Sequence, residues 1–126
     1  MTTVFDSSAL LAIAFGENGA DVAAQALDGA VISAVNAAEV VTRYVDRGSS
    51  PDQARRWFED FGLAVRPFDE VLAMQTGSLR EKTREHGLSL GDRACLSLAM
   101  RENASVVTAD RAWASLDLGL DVQLIR

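Results

Sequence analysis

Cysteine, histidine and lysine are scarce in this chain of 126 residues, which limits the kinds of site that the protein can build. The only cysteine, Cys95, cannot form an internal disulfide, and its apolar neighbours predict a buried thiol. The only histidine, His86, cannot build a zinc site by itself, and we expect it at a helix end on the surface. The net charge of −6 excludes binding to nucleic acid by bulk electrostatic attraction alone.

Long apolar runs are also missing, because no stretch reaches the ~20 residues that a transmembrane helix needs. We therefore expect no membrane association. No basic residue precedes the short apolar run 9–15, so a signal peptide is not predicted and a cytoplasmic location is expected. The composition, 48% hydrophobic and 24% charged, is typical of a globular protein. At this length we expect a single domain, residues 1–126.

Short β-rich runs alternate with helical patterns along the chain. The predicted strands are 3–5, 30–33, 63–65, 105–108 and 122–125, and the predicted helices are 7–14, 20–27, 36–48, 51–61, 69–85 and 90–103, with a short one near Trp113. Pro67 makes the third strand an outer one, because proline cannot serve a central ladder. The alternation predicts an α/β fold in which a parallel sheet carries helices on both faces.

Four acidic residues map to one edge of that sheet, where strands end and connecting helices begin. Asp6 directly follows the first strand, and Asp110 lies two residues beyond the fourth. Glu39 and Asp92 are each expected in the first turn of a helix that starts at the same edge. We therefore predict that the four carboxylates converge.

Helix capping is the alternative explanation for each acid taken alone. The patterns Asn36-x-x-Glu39 and Ser89-x-x-Asp92 both place an acid three residues after a capping residue, as helix starts favour. If all four acids were helix caps, the edge would still carry four like charges, with no lysine or histidine predicted near them. A divalent cation would neutralise such a cluster, and Mg²⁺ and Mn²⁺ prefer carboxylate oxygens.

The four acids lie in segments that together resemble the motifs of PIN-domain ribonucleases, above all the VapC-type toxins of bacterial toxin–antitoxin modules. The segments are Asp6-Ser7-Ser8-Ala9-Leu10, Asn36-Ala37-Ala38-Glu39-Val40, Leu88-Ser89-Leu90-Gly91-Asp92-Arg93-Ala94 and Val107-Thr108-Ala109-Asp110. The resemblance spans the whole chain, with the motifs in the family's order. It implies a PIN-like three-layer α/β/α fold with a parallel sheet of order 3-2-1-4-5, and endonucleolytic cleavage of RNA with Mg²⁺ or Mn²⁺.

The same resemblance assigns roles to individual residues. Asp6 and Asp92 would be the main metal ligands. Glu39 and Asp110 would complete the set of four catalytic and metal-binding acids. Ser8 would form a hydrogen bond near Asp6, and Thr108 would steady Asp110 or a bound water. Arg93 and Arg111 directly follow two of the acids. For each arginine, contact with RNA phosphate and a solvated salt bridge are the two alternative roles.

The reaction expected from this site is metal-assisted hydrolysis, in which one or two ions hold the scissile phosphate and lower the pKa of a bound water. Asp92 or Asp110 would orient that water or accept its proton. The expected partners are an RNA substrate, a cognate antitoxin protein and a second copy in a homodimer. Trp57, Phe58 and Phe61 on one helix are either core residues or part of a dimer and antitoxin surface.

Other proteins with an acidic pocket at a parallel sheet's edge match this sequence less well. A phospho-receiver domain would have paired acids after the first strand and a lysine after the last. A phosphatase of the haloacid dehalogenase type would have a second aspartate where Ser8 stands. A non-catalytic PIN-like or receiver-like interaction module stays open as the alternative, and the sequence does not indicate which RNA is cut.

Overall fold

Five short strands pair side by side in the computed structural model, which describes residues 2–126. They are β1 (Thr3–Phe5), β2 (Val31–Ser33), β3 (Ala64–Arg66), β4 (Ser105–Thr108) and β5 (Val122–Leu124). Every neighbouring pair is parallel, and the order across the sheet is β3-β2-β1-β4-β5. The parallel sheet and the 3-2-1-4-5 order are confirmed, and β3 is an outer strand as its proximity to Pro67 predicts.

Helices connect the strands. In the described part of the chain they are α1 (Ser7–Phe15), α2 (Ala20–Gln25), α3 (Ala34–Asp46), α4 (Pro51–Asp60), α5 (Glu70–Ser78), α6 (Arg80–Thr83) and α7 (Leu90–Glu102), with 3-10 turns at Arg84–His86 and Arg111–Ser115. None of the helices within residues 2–126 combines the length and the apolar character that crossing a membrane requires.

Two hydrophobic cores lie on opposite faces of the sheet, because successive strand side chains point to opposite sides. Phe5, Ile32 and Val107 face the core that is shared with α1, α2, α3 and α4. Their neighbours in the strands, such as Val4 and Val106, face the core that is shared with α5 and α7. The three-layer α/β/α arrangement is therefore confirmed.

The predicted long helix 69–85 is wrong, because it is broken at Leu79 into α5, α6 and a 3-10 turn. Gly77 and Ser78 directly precede the break, and both are weaker helix formers than alanine or leucine. Leu79 and Thr83 are both buried, and Leu79 belongs to the core that contains Val4 and Val106.

The start of α3 also differs from the prediction. Ser33, not Asn36, is the N-cap residue, and its side chain accepts a hydrogen bond from the backbone N–H of Val35. The helix thus follows β2 without a loop. Glu39 consequently lies in the second turn of α3 rather than in the first.

The aromatic residues of α4 divide between core and surface. Phe58 is buried, whereas Trp57 remains 41% exposed and packs against Tyr44 with ring centroids 5.3 Å apart. Cys95 is fully buried in α7, as predicted.

Candidate active site

Asp6 is the buried centre of the acidic edge. It directly follows β1 and occupies the N-cap position of α1, yet its side chain makes no capping hydrogen bond. Its Oδ2 instead accepts hydrogen bonds from Ser8 Oγ at 2.6 Å and from Thr108 Oγ1 at 2.9 Å. Its other oxygen, Oδ1, is buried and has no hydrogen-bond partner among the described residues.

The two hydroxyl groups are oriented by the backbone of the loop after β4. The N–H of Ala109 donates to Ser8 Oγ at 2.9 Å, and the N–H of Asp110 donates to Thr108 Oγ1 at 3.1 Å. Asp6 Oδ2 is the nearest acceptor for the proton of each hydroxyl, since the two hydroxyl oxygens lie 3.3 Å from each other. The carboxylate is thereby held in one orientation, with Oδ1 turned away from its donors.

Burial raises the pKa of Asp6 from its usual value of 3.8 to about 6. The negative charges of Asp92 and Glu39 add to this rise, whereas the hydrogen bonds from Ser8 and Thr108 oppose it. The charges of two other predicted acids therefore reach Asp6 at this edge.

Glu39 is held by two donors on different helices. Ser7 Oγ in α1 and Asn36 Nδ2 in α3 both donate to Glu39 Oε1, each at 2.9 Å. Asn36 also donates to the backbone carbonyl of Gly91 at 3.1 Å, which joins α3 to the start of α7. Neither Asn36 nor Ser7 was predicted as a site residue. The signal for Asn36 was a polar residue on the buried, apolar face of α3.

Asp92 and Asp110 both accept a capping hydrogen bond at the start of a helical element. Asp92 Oδ2 accepts a bond from the backbone N–H of Ser89 at 2.9 Å and so completes the predicted capping box of α7. Asp110 Oδ1 accepts a bond from the N–H of Ala112 at 3.0 Å at the start of a 3-10 turn. Thr108 links Asp110 to Asp6 through the hydrogen bonds described above. Capping by these acids does not use up all their oxygens.

The two predicted arginines differ in their freedom. One guanidinium nitrogen of Arg93 donates to the backbone carbonyl of Thr76 at 3.0 Å, and Arg93 Nε is buried. Arg111 is exposed at the start of its 3-10 turn, directly beside Asp110. The structure thus ties Arg93 to α5 and leaves Arg111 facing solvent.

The donor set fits a divalent ion that is held by few protein oxygens. No group of three or more histidine, cysteine or acidic side chains within residues 2–126 is arranged to enclose an ion. Asp6 Oδ1, however, is a buried, unpaired carboxylate oxygen, which a cation would satisfy. Mg²⁺ commonly takes only one or two carboxylates and fills its remaining positions with water and phosphate oxygens.

Comparison with known proteins agrees with this architecture. The family model described as "PIN domain" matches residues 3–118. The chain belongs to the PIN domain family. Among curated proteins, no sequence matches this PIN domain.

Solved structures similar to this PIN domain cover nearly the whole chain. A toxin–antitoxin complex from Klebsiella pneumoniae aligns with a TM-score of 0.76 at 20% identity over 98% of both chains. VapBC2 from Rickettsia felis, bound to a DNA fragment from its promoter, aligns at 0.71 and 20% identity, again over 98% of both chains. DNA-bound VapBC from Salmonella typhimurium aligns at 0.73 and 19% identity, over 100% of this chain and 99% of that chain. At such identities these similarities establish the shared fold.

Proposed function

We propose that this PIN domain is an endoribonuclease that depends on Mg²⁺ or Mn²⁺ and is the toxin of a toxin–antitoxin pair. The observation that carries the proposal is the Asp6 carboxylate, which is buried, oriented by two hydroxyl groups and left with one unpaired oxygen. Burying such a group is costly unless a cation or a donor completes it. A metal-binding role accounts for that arrangement.

Each side chain has a defined task in the proposed reaction. Asp6 would hold the ion, while Ser8 and Thr108 keep its carboxylate in place. Glu39 and Asp92 would supply the negative charge that keeps the ion at this edge. A bound divalent ion neutralises charge on the scissile phosphate and makes water more acidic.

The remaining polar groups of the edge would handle water and substrate. Asp92 or Asp110 would orient the attacking water and take its proton as the P–O bond to the leaving oxygen breaks, and the leaving oxygen would take up a proton from solvent. Arg111 is the better candidate for a phosphate contact, because it is exposed whereas Arg93 already donates to a backbone carbonyl. The proposed ion also explains how an acidic edge can receive an anionic RNA.

The proposed partners follow from the neighbours and from the charge of the edge. The similar structure from Klebsiella pneumoniae is a toxin–antitoxin complex, which supports a cognate antitoxin for this chain. An arginine or lysine of that antitoxin would occupy the acidic edge in place of metal. The homodimer and the cytoplasmic location stay predictions, and the exposed Trp57 is a candidate contact for such a dimer.

Purified protein should cleave RNA only when a divalent ion is supplied. We expect fragments from total cellular RNA with Mg²⁺ or Mn²⁺, none with EDTA, and recovery when metal is added in excess. Mapping the fragment ends would identify the substrate. Equal cleavage in EDTA would refute the metal dependence, and a stable protein that binds a partner but cuts no RNA would instead favour the non-catalytic interaction module.

Expression of the chain alone should arrest bacterial growth if it is a toxin. Growth should resume when a small protein encoded beside it is expressed at the same time, because that partner would cover the acidic edge. Colony counts after induction measure the effect, and an Asp6→Asn variant at matched protein level is the control that should permit growth. Normal growth despite abundant folded wild-type protein would argue against the toxin role.

A further inference from the structure

One buried amide joins the two helices that carry Glu39 and Asp92. Asn36 lies on α3 with 0% of its surface exposed. Its Nδ2 donates to Glu39 Oε1 at 2.9 Å and to the carbonyl oxygen of Gly91 at 3.1 Å. Gly91 directly precedes Asp92 in the first turn of α7. Asn36 therefore connects Glu39 to the backbone of the turn that carries Asp92.

The orientation of this amide follows from its surroundings. Both neighbouring atoms are hydrogen-bond acceptors, so the amide must present its two N–H groups to them. The oxygen of Asn36 is buried without a partner among the described residues, which costs free energy. An apolar side chain of similar size would fill the same space without that cost. The amide is consequently better explained by its contact with Glu39 than by packing.

Gly91 completes the same arrangement from the other side. A Cβ atom at this position would lie 2.6 Å from Glu39 Oε1 and equally close to Glu39 Cδ. The φ angle of Gly91 is not in the left-handed region, so its backbone does not require glycine. The missing side chain instead makes room for the Glu39 carboxylate against the backbone of α7.

We propose that Asn36 is a positioning residue, which holds the Glu39 carboxylate against Gly91 and so sets its place relative to Asp92. This inference rests on the proposed nuclease function. Without Asn36, Ser7 would remain as a donor to Glu39 in an exposed hydrogen bond. Glu39, itself exposed on α3, would then be free to turn into solvent.

A double-mutant cycle tests whether Asn36 acts through Glu39. Asn36→Ala should lower kcat on an RNA that the wild type cuts by about 10- to 100-fold, the usual range for partners of metal ligands, with little change in KM. It should also weaken Mn²⁺ binding, measured calorimetrically without RNA. In a Glu39→Ala background the same change should alter kcat and Mn²⁺ affinity by less than about twofold. If the fold-changes caused by Asn36→Ala and Glu39→Ala simply multiply in the double variant, the two residues act independently and the proposal is overturned.

Two further variants separate positioning from stability. Ser97 lies in α7 and accepts a buried hydrogen bond, 3.0 Å long, from Thr76 Oγ1 in α5. Ser97→Ala removes this bond. It should lower the melting temperature while leaving kcat and Mn²⁺ affinity unchanged. Gly91→Ala should melt no lower than the wild type, because alanine favours a helix, yet it should lose activity as its Cβ displaces Glu39. A fully active Gly91→Ala variant would contradict the proposal.

The outcomes distinguish this inference from the proposed function. Wild-type protein that binds Mn²⁺ but cuts no RNA would refute the nuclease function, and the cycle would then be read on Mn²⁺ affinity alone. Metal-dependent cleavage with independent effects of Asn36 and Glu39 would refute the positioning role and leave the function standing. A wild type that neither binds Mn²⁺ nor cuts RNA would overturn both.

Discussion

Asp6→Asn should reduce RNA cleavage by at least about a thousandfold while the protein stays folded. The asparagine keeps the volume of Asp6, and its oxygen can still accept the bonds from Ser8 and Thr108. Its NH₂ group, however, replaces the unpaired Oδ1 and cannot bind a cation. A bound ion contributes several kcal/mol to such reactions, and about 4 kcal/mol corresponds to a factor of about 10³ in rate.

The measurement is the initial rate of cleavage at saturating Mn²⁺, with circular dichroism to verify the fold. Asp28→Asn is the matched control, because Asp28 is an exposed acid in the turn before β2, at the opposite edge of the sheet. It removes the same charge and should leave the rate unchanged. Substantial cleavage by the Asp6 variant, or an equal loss in both variants, would show that Asp6 does not hold the catalytic ion.

The metal-free protein should become more stable as the pH falls from about 7.5 to about 5. The pKa of Asp6 is about 6 in the folded state, whereas its ordinary value is 3.8. In this pH range the folded protein therefore binds more protons than the unfolded chain does. Stability must therefore fall as the pH rises through this range. The difference of about 2.2 pKa units corresponds to about 3 kcal/mol in full, and about half of it should be gained between pH 7.5 and pH 5.

Urea denaturation in EDTA across this pH range would measure the effect, with Asp6→Asn as the control that should flatten the slope. Below about pH 4 the trend should reverse, because Arg101 and the backbone of Leu72 lower the pKa of Asp69 to about 2. Stability from that group is present above its ordinary pKa of 3.8 and is lost as the pH falls toward 2. A wild type without any slope between pH 5 and pH 7.5 would contradict the raised pKa of Asp6.

Saturating Mn²⁺ should oppose this pH trend, since the ion binds the ionised carboxylate and stabilises only the folded protein. An excess of about a hundredfold over the dissociation constant would add about 2.7 kcal/mol at neutral pH. The addition should shrink as the pH falls through about 6, where Asp6 takes up a proton.

The position of the acidic edge could be predicted from the sequence because topology dictates it. Asp6 and Asp110 follow parallel strands, and the ends of such strands meet at one edge whatever the details of packing. The capping box of Ser89 and Asp92 depends on local spacing alone, and it too is confirmed. These features need only short-range patterns.

Features that depend on tertiary contacts could not be predicted in the same way. Asn36 matched a helix cap, but its role as a buried amide between α3 and α7 depends on Gly91, which lies 55 residues away in the chain. The break at Leu79 was missed because the apolar pattern continues through it, although Gly77 and Ser78 directly before it are weak helix formers. Asp6 had the position of a cap, but its carboxylate accepts bonds from the nearby Ser8 and from Thr108, which lies 102 residues away.

Cys95, the protein's only thiol, is buried beneath the acidic edge, so its chemical reactivity reports on opening of the structure. Burial and the charges of Asp6, Asp92 and Glu39 raise the pKa of Cys95 well above its ordinary value. Alkylating reagents and oxidants attack the exposed thiolate, so the native molecule is protected from both. Labelling can proceed only from molecules that have opened enough to expose the buried face of α7. The rate at which iodoacetamide modifies the protein, divided by its rate for an exposed thiol, therefore gives the fraction of molecules in which Cys95 is exposed.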